Sequence, residues 1–345
     1  MNLLIAGGAG FIGSNFTRYM SEKYPEYKLV VYDKLTYAGN LNNLTDVKEK
    51  NHNYHFVKGD ITDLDLVNKT IEDHKITHII NFAADTHVDK SIHGGCKDFV
   101  LTNSLGVQML LDAVRKNKLK KMVNVSTDEV YGALELDEDR LFTEDTPISP
   151  NMPYAAAKAG GDLMCQAYHV THGSPVIVTH CSNNYGPYQY PEKLIPFFVF
   201  QAMKGEKLPV YGDGLYVRDW IHVIDHCSSL DLLLHKGKVG EVYNIGVDNE
   251  RNNMEITKLI LKFTGKSEDF ITHVKDRPGH DRRYAIDNSK IVSLGWKPKY
   301  SREKFEQGLK ETVDWYQENT KWVNQVREKA KNANPHIKIK KKKNE

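Results

Sequence analysis

The chain has 345 residues, 40% hydrophobic and 27% charged, a length and composition that suit two domains with a sizeable core. Lys and Arg outnumber Asp and Glu by 47 to 45, but seven lysines and one glutamate fall between Lys329 and Glu345; removing that +6 from the total of +2 leaves a body of net charge −4. A mildly acidic body excludes a nucleic-acid-binding face, and no window approaches the ~18 consecutive apolar residues of a membrane span.

Met1-Asn2 leads straight into an apolar strand at Asn2–Ala6, with no cleavable signal in between. Gly7-Gly8-Ala9-Gly10-Phe11-Ile12-Gly13 follows that strand and opens a helical pattern at Phe11–Lys23. The spacing Gly7-x-x-Gly10-x-x-Gly13 lets the backbone turn tightly and approach a pyrophosphate, while the helix N-terminus offers unpaired N–H groups to the anion. The next strand, Lys28–Tyr32, runs into Asp33, twenty residues beyond Gly13, where a carboxylate accepts hydrogen bonds from a ribose. A 2′-phosphate would be repelled there, so NAD is expected over NADP, with Lys34 blurring the choice slightly. After the third strand, Tyr54–Val57, Asp60 reads equally as an adenine contact or as the cap of the following helix, Leu64–His74.

Strands follow at His78–Asn81 and Met122–Val125, with a helical pattern at Phe99–Lys116 between them. A sixth strand, Pro175–Thr179, comes after a helix beginning near Tyr154. Strands separated by helices of this length imply right-handed crossovers and a doubly wound parallel α/β sheet of the Rossmann type, spanning 1–182. Beyond Asn183 the alternation stops and turn-rich stretches appear, such as Tyr211-Gly212-Asp213-Gly214. A smaller mixed α/β domain is expected over 183–326, with Val242–Ile245 returning to the first sheet. The basic tail over 329–345 lacks the apolar surface to offset ordering entropy and is expected to be disordered. Cys96, Cys165, Cys181 and Cys227 are scattered without C-x-x-C spacing, which disfavours a metal site and points to a reducing cytoplasm.

Two groups of residues carry chemistry. Tyr154 and Lys158 lie four apart at a helix start and so share a face, where an ammonium lowers a phenol's pKa and readies it to take a hydroxyl proton. Ser126-Thr127-Asp128-Glu129-Val130-Tyr131-Gly132 follows directly on the fifth strand, at the carboxyl edge where open parallel sheets bind ligands. Two adjacent carboxylates there supply a general acid and a general base if burial separates their pKa values. Either group alone reads as surface polarity; their place downstream of the glycine turn reverses that reading.

With Asp33-Lys34-Leu35-Thr36-Tyr37-Ala38-Gly39-Asn40, Thr127-Asp128-Glu129, Asn183-Asn184-Tyr185-Gly186-Pro187-Tyr188, Pro191-Glu192-Lys193-Leu194-Ile195-Pro196, Arg218-Asp219-Trp220 and Asp276-Arg277-Pro278-Gly279-His280-Asp281, the chain resembles the dTDP-glucose 4,6-dehydratases of the extended short-chain dehydrogenase/reductase family. The resemblance runs from the Gly7 turn to about Tyr316. It implies that Tyr154 is the base for C4 oxidation, with Thr127 polarising the C4 hydroxyl and Lys158 holding the nicotinamide ribose. Glu129 would remove the C5 proton, Asp128 would protonate the departing C6 hydroxyl, and hydride would return to C6 from a tightly bound NAD. Phe11, Ile12, Lys34, Leu35, Thr36, Ile61, Phe82, Ala83, Ala84, Thr102 and Asn184 would line the cofactor. Thr86, Asn183, Lys193, Leu194, Pro209, Val210, Tyr211, Arg218, Asn253, Asp276, Arg277, Pro278, Gly279 and His280 would hold the nucleotide-sugar, the cations on its diphosphate. Where the family often has Ala-Ala-Glu-Ser-His-Val-Asp, this chain has Ala83-Ala84-Asp85-Thr86-His87-Val88-Asp89, the same chemical groups at altered reach. Rhamnose is the commonest family destination of the product.

A nucleotide-sugar 4-epimerase would use Tyr154, Lys158 and NAD but need no acid pair. A redox-sensing protein that binds NAD without turnover would be expected to have lost some of these groups. Finally, apolar residues surround most of Phe99–Lys116, and Tyr154–Val170 carries many alanines. A two-fold homodimer built on these helices as a four-helix bundle is therefore expected, as the resemblance also implies.

Overall fold

The computed structural model describes residues 1–276 and 278–330; the expected lysine-rich tail lies outside them from Lys331 onward. Its twelve strands are β1 (Asn2–Ala6), β2 (Lys28–Asp33), β3 (Tyr54–Lys58), β4 (His78–Asn81), β5 (Lys121–Thr127), β6 (Val176–Cys181), β7 (Asn183–Tyr185), β8 (Leu208–Tyr211), β9 (Val217–His222), β10 (Val242–Ile245), β11 (Glu250–Asn252) and β12 (Ile271–Val274). Seven form one sheet in the order β10-β6-β5-β4-β1-β2-β3, every pair parallel. The strand order reverses between β1 and β4, which opens a crevice at their carboxyl ends.

The near-continuous apolar strands follow from coverage on both faces. In β1 and β2, Leu3, Ile5, Leu29 and Val31 enter one core layer, and Leu4, Ala6, Val30 and Tyr32 enter the other. The first layer is covered by the Phe11–Lys23 helix and the Val223–Lys236 helix, which pack on each other; the second by Leu64–His74 and Gly106–Lys116. Thus β10 and the Val223–Lys236 helix, both late in the chain, belong spatially to the first sheet. A third core gathers Tyr185, Phe198, Trp220, Ile260, Leu309 and Tyr316 in a smaller lobe. There β7 and β11 flank β9, and β12 pairs with β8.

The single helix expected over Phe99–Lys116 is interrupted. Lys97–Val100 forms one α-helical turn, Leu101–Leu105 is a π-helical turn, and Gly106–Lys116 resumes the α-helix. The wider turn serves close contacts that a regular helix would miss. Asn103 exchanges two hydrogen bonds with the backbone of Asp85 (2.9 and 3.0 Å), and Ser104 donates to the Ala157 carbonyl (2.7 Å). A Cβ at Gly161 would stand 2.3 Å from the Asn103 oxygen, so the neighbouring helix can approach only because it carries glycine there.

Gly7 is the tightest point of the first turn. Its φ is +71°, and a Cβ there would lie 2.5 Å from the Ala83 nitrogen on β4's extension. Gly7→Ala is expected to cost about 1–2 kcal/mol from the left-handed backbone alone, and more from the clash. Urea denaturation measures it; an unchanged midpoint would mean that β1 and β4 can part at no cost.

Candidate active site

A cleft of about 1570 Å³, its open mouth included, runs along the carboxyl ends of β1, β2, β4 and β5. Gly7, Gly10, Phe11, Ile12, Gly13, Asp33, Lys34, Thr36, Asp60, Ile61, Phe82, Ala83, Ala84, Thr102, Tyr154, Lys158 and Asn184 all line it, as do Thr86 and Thr127. Leu35 does not. Its φ of +58° follows from its N–H bonding back to Asp33 Oδ1 (2.7 Å), and the side chain packs on the first core layer instead.

The walls at one end fit a dinucleotide. A Cβ at Gly13 would come within 2.4 Å of the Gly7 oxygen, so the turn closes only on bare backbone. Gly10 caps the Phe11–Lys23 helix without any side-chain hydrogen bond, leaving first-turn N–H groups for an anion. Asp33 holds the Ala9 N–H on Oδ2 (2.9 Å) as well as Leu35 on Oδ1, tying the glycine turn to the end of β2. Burial pushes its pKa up, against those two bonds. Asp60 pairs with Lys34 at 2.6 Å and accepts from the Thr62 N–H (3.0 Å). Although burial opposes it, the Lys34 contact leaves the Asp60 carboxyl below its ordinary pKa. The following helix is capped by Asp63, which accepts from Leu66, so Asp60 is not the cap.

The other end holds Thr127, Asp128, Glu129, Tyr154 and Lys158. Thr127 closes β5 and caps the Asp128–Tyr131 turn, accepting weakly from the Glu129 N–H at 3.4 Å. Asp128 is 2% exposed, and its Oδ2 finds no hydrogen-bond partner among the described residues. Burial first, then the Glu129 charge and that of Asp219, push Asp128 well above the usual carboxylate range, despite Arg218 nearby. A carboxyl group so placed keeps its proton.

Tyr154 and Lys158 share the buried face of the Pro153–His172 helix, but their electrostatics differ from expectation. The Lys158 ammonium donates to the Val125 carbonyl (2.7 Å), and burial pulls its pKa down. Burial, then the negative charge of Glu129, push the Tyr154 phenol well up. The Lys158 ammonium, whose hydrogen bond goes to β5, is not among the leading influences on the phenol.

A second cavity of about 1140 Å³, again with its mouth, is lined by Asn183, Lys193, Leu194, Pro209, Val210, Tyr211, Arg218, Asn253 and His280. Glu129, Asn183, Asn184, Gln189, Glu192 and Lys193 belong to both cavities, so the acid pair stands where they meet. Arg218 is held in the wall by the Val217 and Asp281 carbonyls (2.7 and 2.9 Å) and lies 4.3 Å over the Tyr284 ring. Asp276, Pro278 and Gly279 are not on either wall. Asp276 is turned toward the Tyr216 hydroxyl and the His280 ring, and Pro278 and Gly279 form an exposed turn. Arg277 lies outside the described residues.

Residue patterns missed Tyr37, His87 and Glu192. The Tyr37 hydroxyl donates to Glu192 (3.0 Å) beside the Thr86 hydroxyl, and Lys193 donates to the Thr86 carbonyl (2.7 Å). His87 Nε2 stands 3.8 Å from Glu192. The Glu192 and Lys193 contacts join residues more than a hundred positions apart, and the sequence signal was that Tyr37, His87 and Glu192 fall inside segments already singled out.

A model of the GDP-mannose 4,6 dehydratase family matches residues 4–312. The dTDP-glucose 4,6-dehydratase of Streptomyces niveus is 49% identical over 327 residues, 93% of this chain and 94% of that one. Two solved dTDP-glucose 4,6-dehydratases have similar structures. That of Bacillus anthracis, in complex with NAD, has a TM-score of 0.87 and 51% identity over 94% of this chain and 99% of its own. That of Streptomyces venezuelae, with NAD and a TDP ligand, has a TM-score of 0.89 and 45% identity over 94% and 100%. With its doubly wound sheet, its glycine turn and the acid pair beside Tyr154 and Lys158, the chain belongs to the GDP-mannose 4,6-dehydratase family and, within it, to the dTDP-glucose 4,6-dehydratases.

Proposed function

We propose that this chain is an NAD-dependent hydro-lyase that converts dTDP-glucose to dTDP-4-keto-6-deoxyglucose. The observation that carries this reading is the Asp128–Glu129 pair at the junction of the two cavities, with Asp128 fully buried and Glu129 shared by both walls. A 4-epimerase has no use for such a pair, and a protein that merely senses NAD has no use for Tyr154 and Lys158 as well.

NAD bound in the cleft supplies the hydride acceptor for C4, the donor for C6 and a positive ring beside the phenol. Tyr154 takes the C4 hydroxyl proton, with Thr127 polarising that hydroxyl and Lys158 on the ribose. The C4 ketone acidifies the C5 hydrogen, which Glu129 removes. Hydroxide is a poor leaving group, so Asp128 delivers its proton to the C6 oxygen and water departs. Hydride addition at C6 then leaves negative charge that must be quenched at C5, and Glu129 carries the proton to do it. Lys193 and Arg218 face the diphosphate.

Asp128→Asn and Glu129→Gln are expected to slow dehydration by roughly a hundredfold or more while still reducing bound NAD. Tyr154→Phe is expected to impair even that first reduction. Single-turnover absorbance of bound NADH beside product formation separates the steps. Acid-pair variants that dehydrate at the wild-type rate would remove the main support for a dehydratase.

We also infer a two-fold homodimer. Val100, Leu101, Leu105, Leu163, Met164 and Val170, on the two helices singled out for assembly, are between 37% and 78% exposed. Apolar side chains gathered on adjacent helices favour a covering partner. All four cysteines are free and no described helix is long and apolar enough to cross a membrane, which supports a reducing cytoplasm. We place the domain boundary near 183. Sedimentation at micromolar concentration should give a dimer that Leu163→Glu dissociates; a wild-type monomer would overturn this assembly.

A further inference from the structure

Beneath the floor of the cleft lies a buried polar network whose centre is Asp162, one helical turn beyond Lys158. Its side chain is 3% exposed. Oδ1 accepts from Asn124 (3.1 Å), Oδ2 from the Ser126 hydroxyl (2.6 Å), and His180 Nε2 stands 3.3 Å from Oδ2. From Asn124 the network continues to Asn81 (2.9 Å) and from there to the Ala83 N–H (3.1 Å), on the cofactor wall. From His180 it continues to the Tyr131 hydroxyl (2.7 Å), which donates to Asn244 (2.8 Å). One carboxylate thus joins β4, β5, β6 and β10 to the Asp128–Tyr131 turn and to the helix bearing Tyr154.

The charges around Lys158 give the network a second meaning. Lys158 is faced by Asp162 and Cys165 from its own helix and by Cys181 from β6. Burial pushes both thiols up, Cys181 to about 12, so they stay neutral. Tyr154 is faced by Glu129, Asp128 and Cys181, with no cation among its leading influences. Burial alone drives Lys158 toward the neutral amine, and the charge opposing that drive is Asp162.

We propose that Asp162 is a positioning residue for hydride transfer: through Ser126 and Asn124 it sets the strand end carrying Thr127, Asp128 and Glu129 against the Pro153–His172 helix, one turn from Lys158, whose charged form it favours. This rests on the dehydratase reading, in which Lys158 must be charged to serve Tyr154. A neutral lysine loses both its ribose hydrogen-bond strength and its pull on the phenol. Activity should therefore fail from the alkaline side when Asp162 is neutralised.

The test is Asp162→Asn, which keeps the shape and removes the charge. The alkaline limb of single-turnover NAD reduction by dTDP-glucose should move to lower pH by about one unit, as expected for a buried like-sized charge one turn away. On the alkaline side of both midpoints kcat should fall by up to about tenfold, with KM within about twofold. Independently of turnover, the pH midpoint of Lys158 in the holoenzyme, read by NMR of isotopically labelled lysine, should drop by a similar amount. Asn124→Ala loosens the same network without touching the charge and should leave that midpoint in place. A wild-type midpoint and pH profile in Asp162→Asn, even with a lowered Tm, would overturn the inference and leave Asp162 structural. Should the wild-type enzyme make no 4-keto product, the functional reading fails, while the Lys158 midpoint still decides the role of the charge.

Discussion

Two neighbouring carboxyl groups removed from water cannot both ionise cheaply, and the chemistry of this site depends on that repulsion. Asp128 is fully buried under the junction of two cavities, whereas Glu129 is partly exposed on their shared wall. The pair is therefore divided in environment: burial first, then the Glu129 charge and that of Asp219, favour the protonated Asp128, as the acid's part proposed for it requires. The division needs β5 to end at Thr127 and the chain to turn at once, because any slack would let water reach Asp128. The parallel sheet supplies that abrupt end, and the Thr127 cap begins the turn.

Burial acts on Tyr154 and Lys158 in the opposite sense to their use. It raises the phenol and lowers the amine, moving both toward neutrality, while a proton-accepting tyrosine beside an ammonium requires the charged forms. A cationic ring in the cleft would favour the phenolate by direct attraction, the change that the part proposed for Tyr154 requires.

Much of this was legible in the residue order, for identifiable reasons. The glycine turn, Asp33 and the six early strands are local in sequence, with a two-residue or helical period that declares itself. Asp128 and Glu129 are adjacent, and Tyr154 and Lys158 are one turn apart, so their proximity needed no tertiary structure. What escaped was long-range or depended on a competition between forces. The Tyr37–Glu192 bond spans 155 positions, and Asp162 met Ser126 only through helix packing on β5. The direction of the Tyr154 shift turned on burial outweighing a nearby ammonium, which spacing cannot weigh. Leu35 and Asp276 lay inside recognisable segments, yet a left-handed turn took one side chain away and bonds to Tyr216 and His280 took the other.

The π-helical turn at Leu101–Leu105 connects these layers in one short stretch. It places Thr102 on the cofactor wall, sends Asn103 to the Asp85 backbone, and leaves Leu101 and Leu105 facing outward. A regular helix would rotate successive residues by a constant angle and could not satisfy all three directions at once. The helix against it carries Tyr154 and Lys158 on its inner face and Leu163 and Met164 on its outer one. A partner covering the outer apolar residues, as proposed above, would press on the two elements that line the cleft with Thr102, Tyr154 and Lys158.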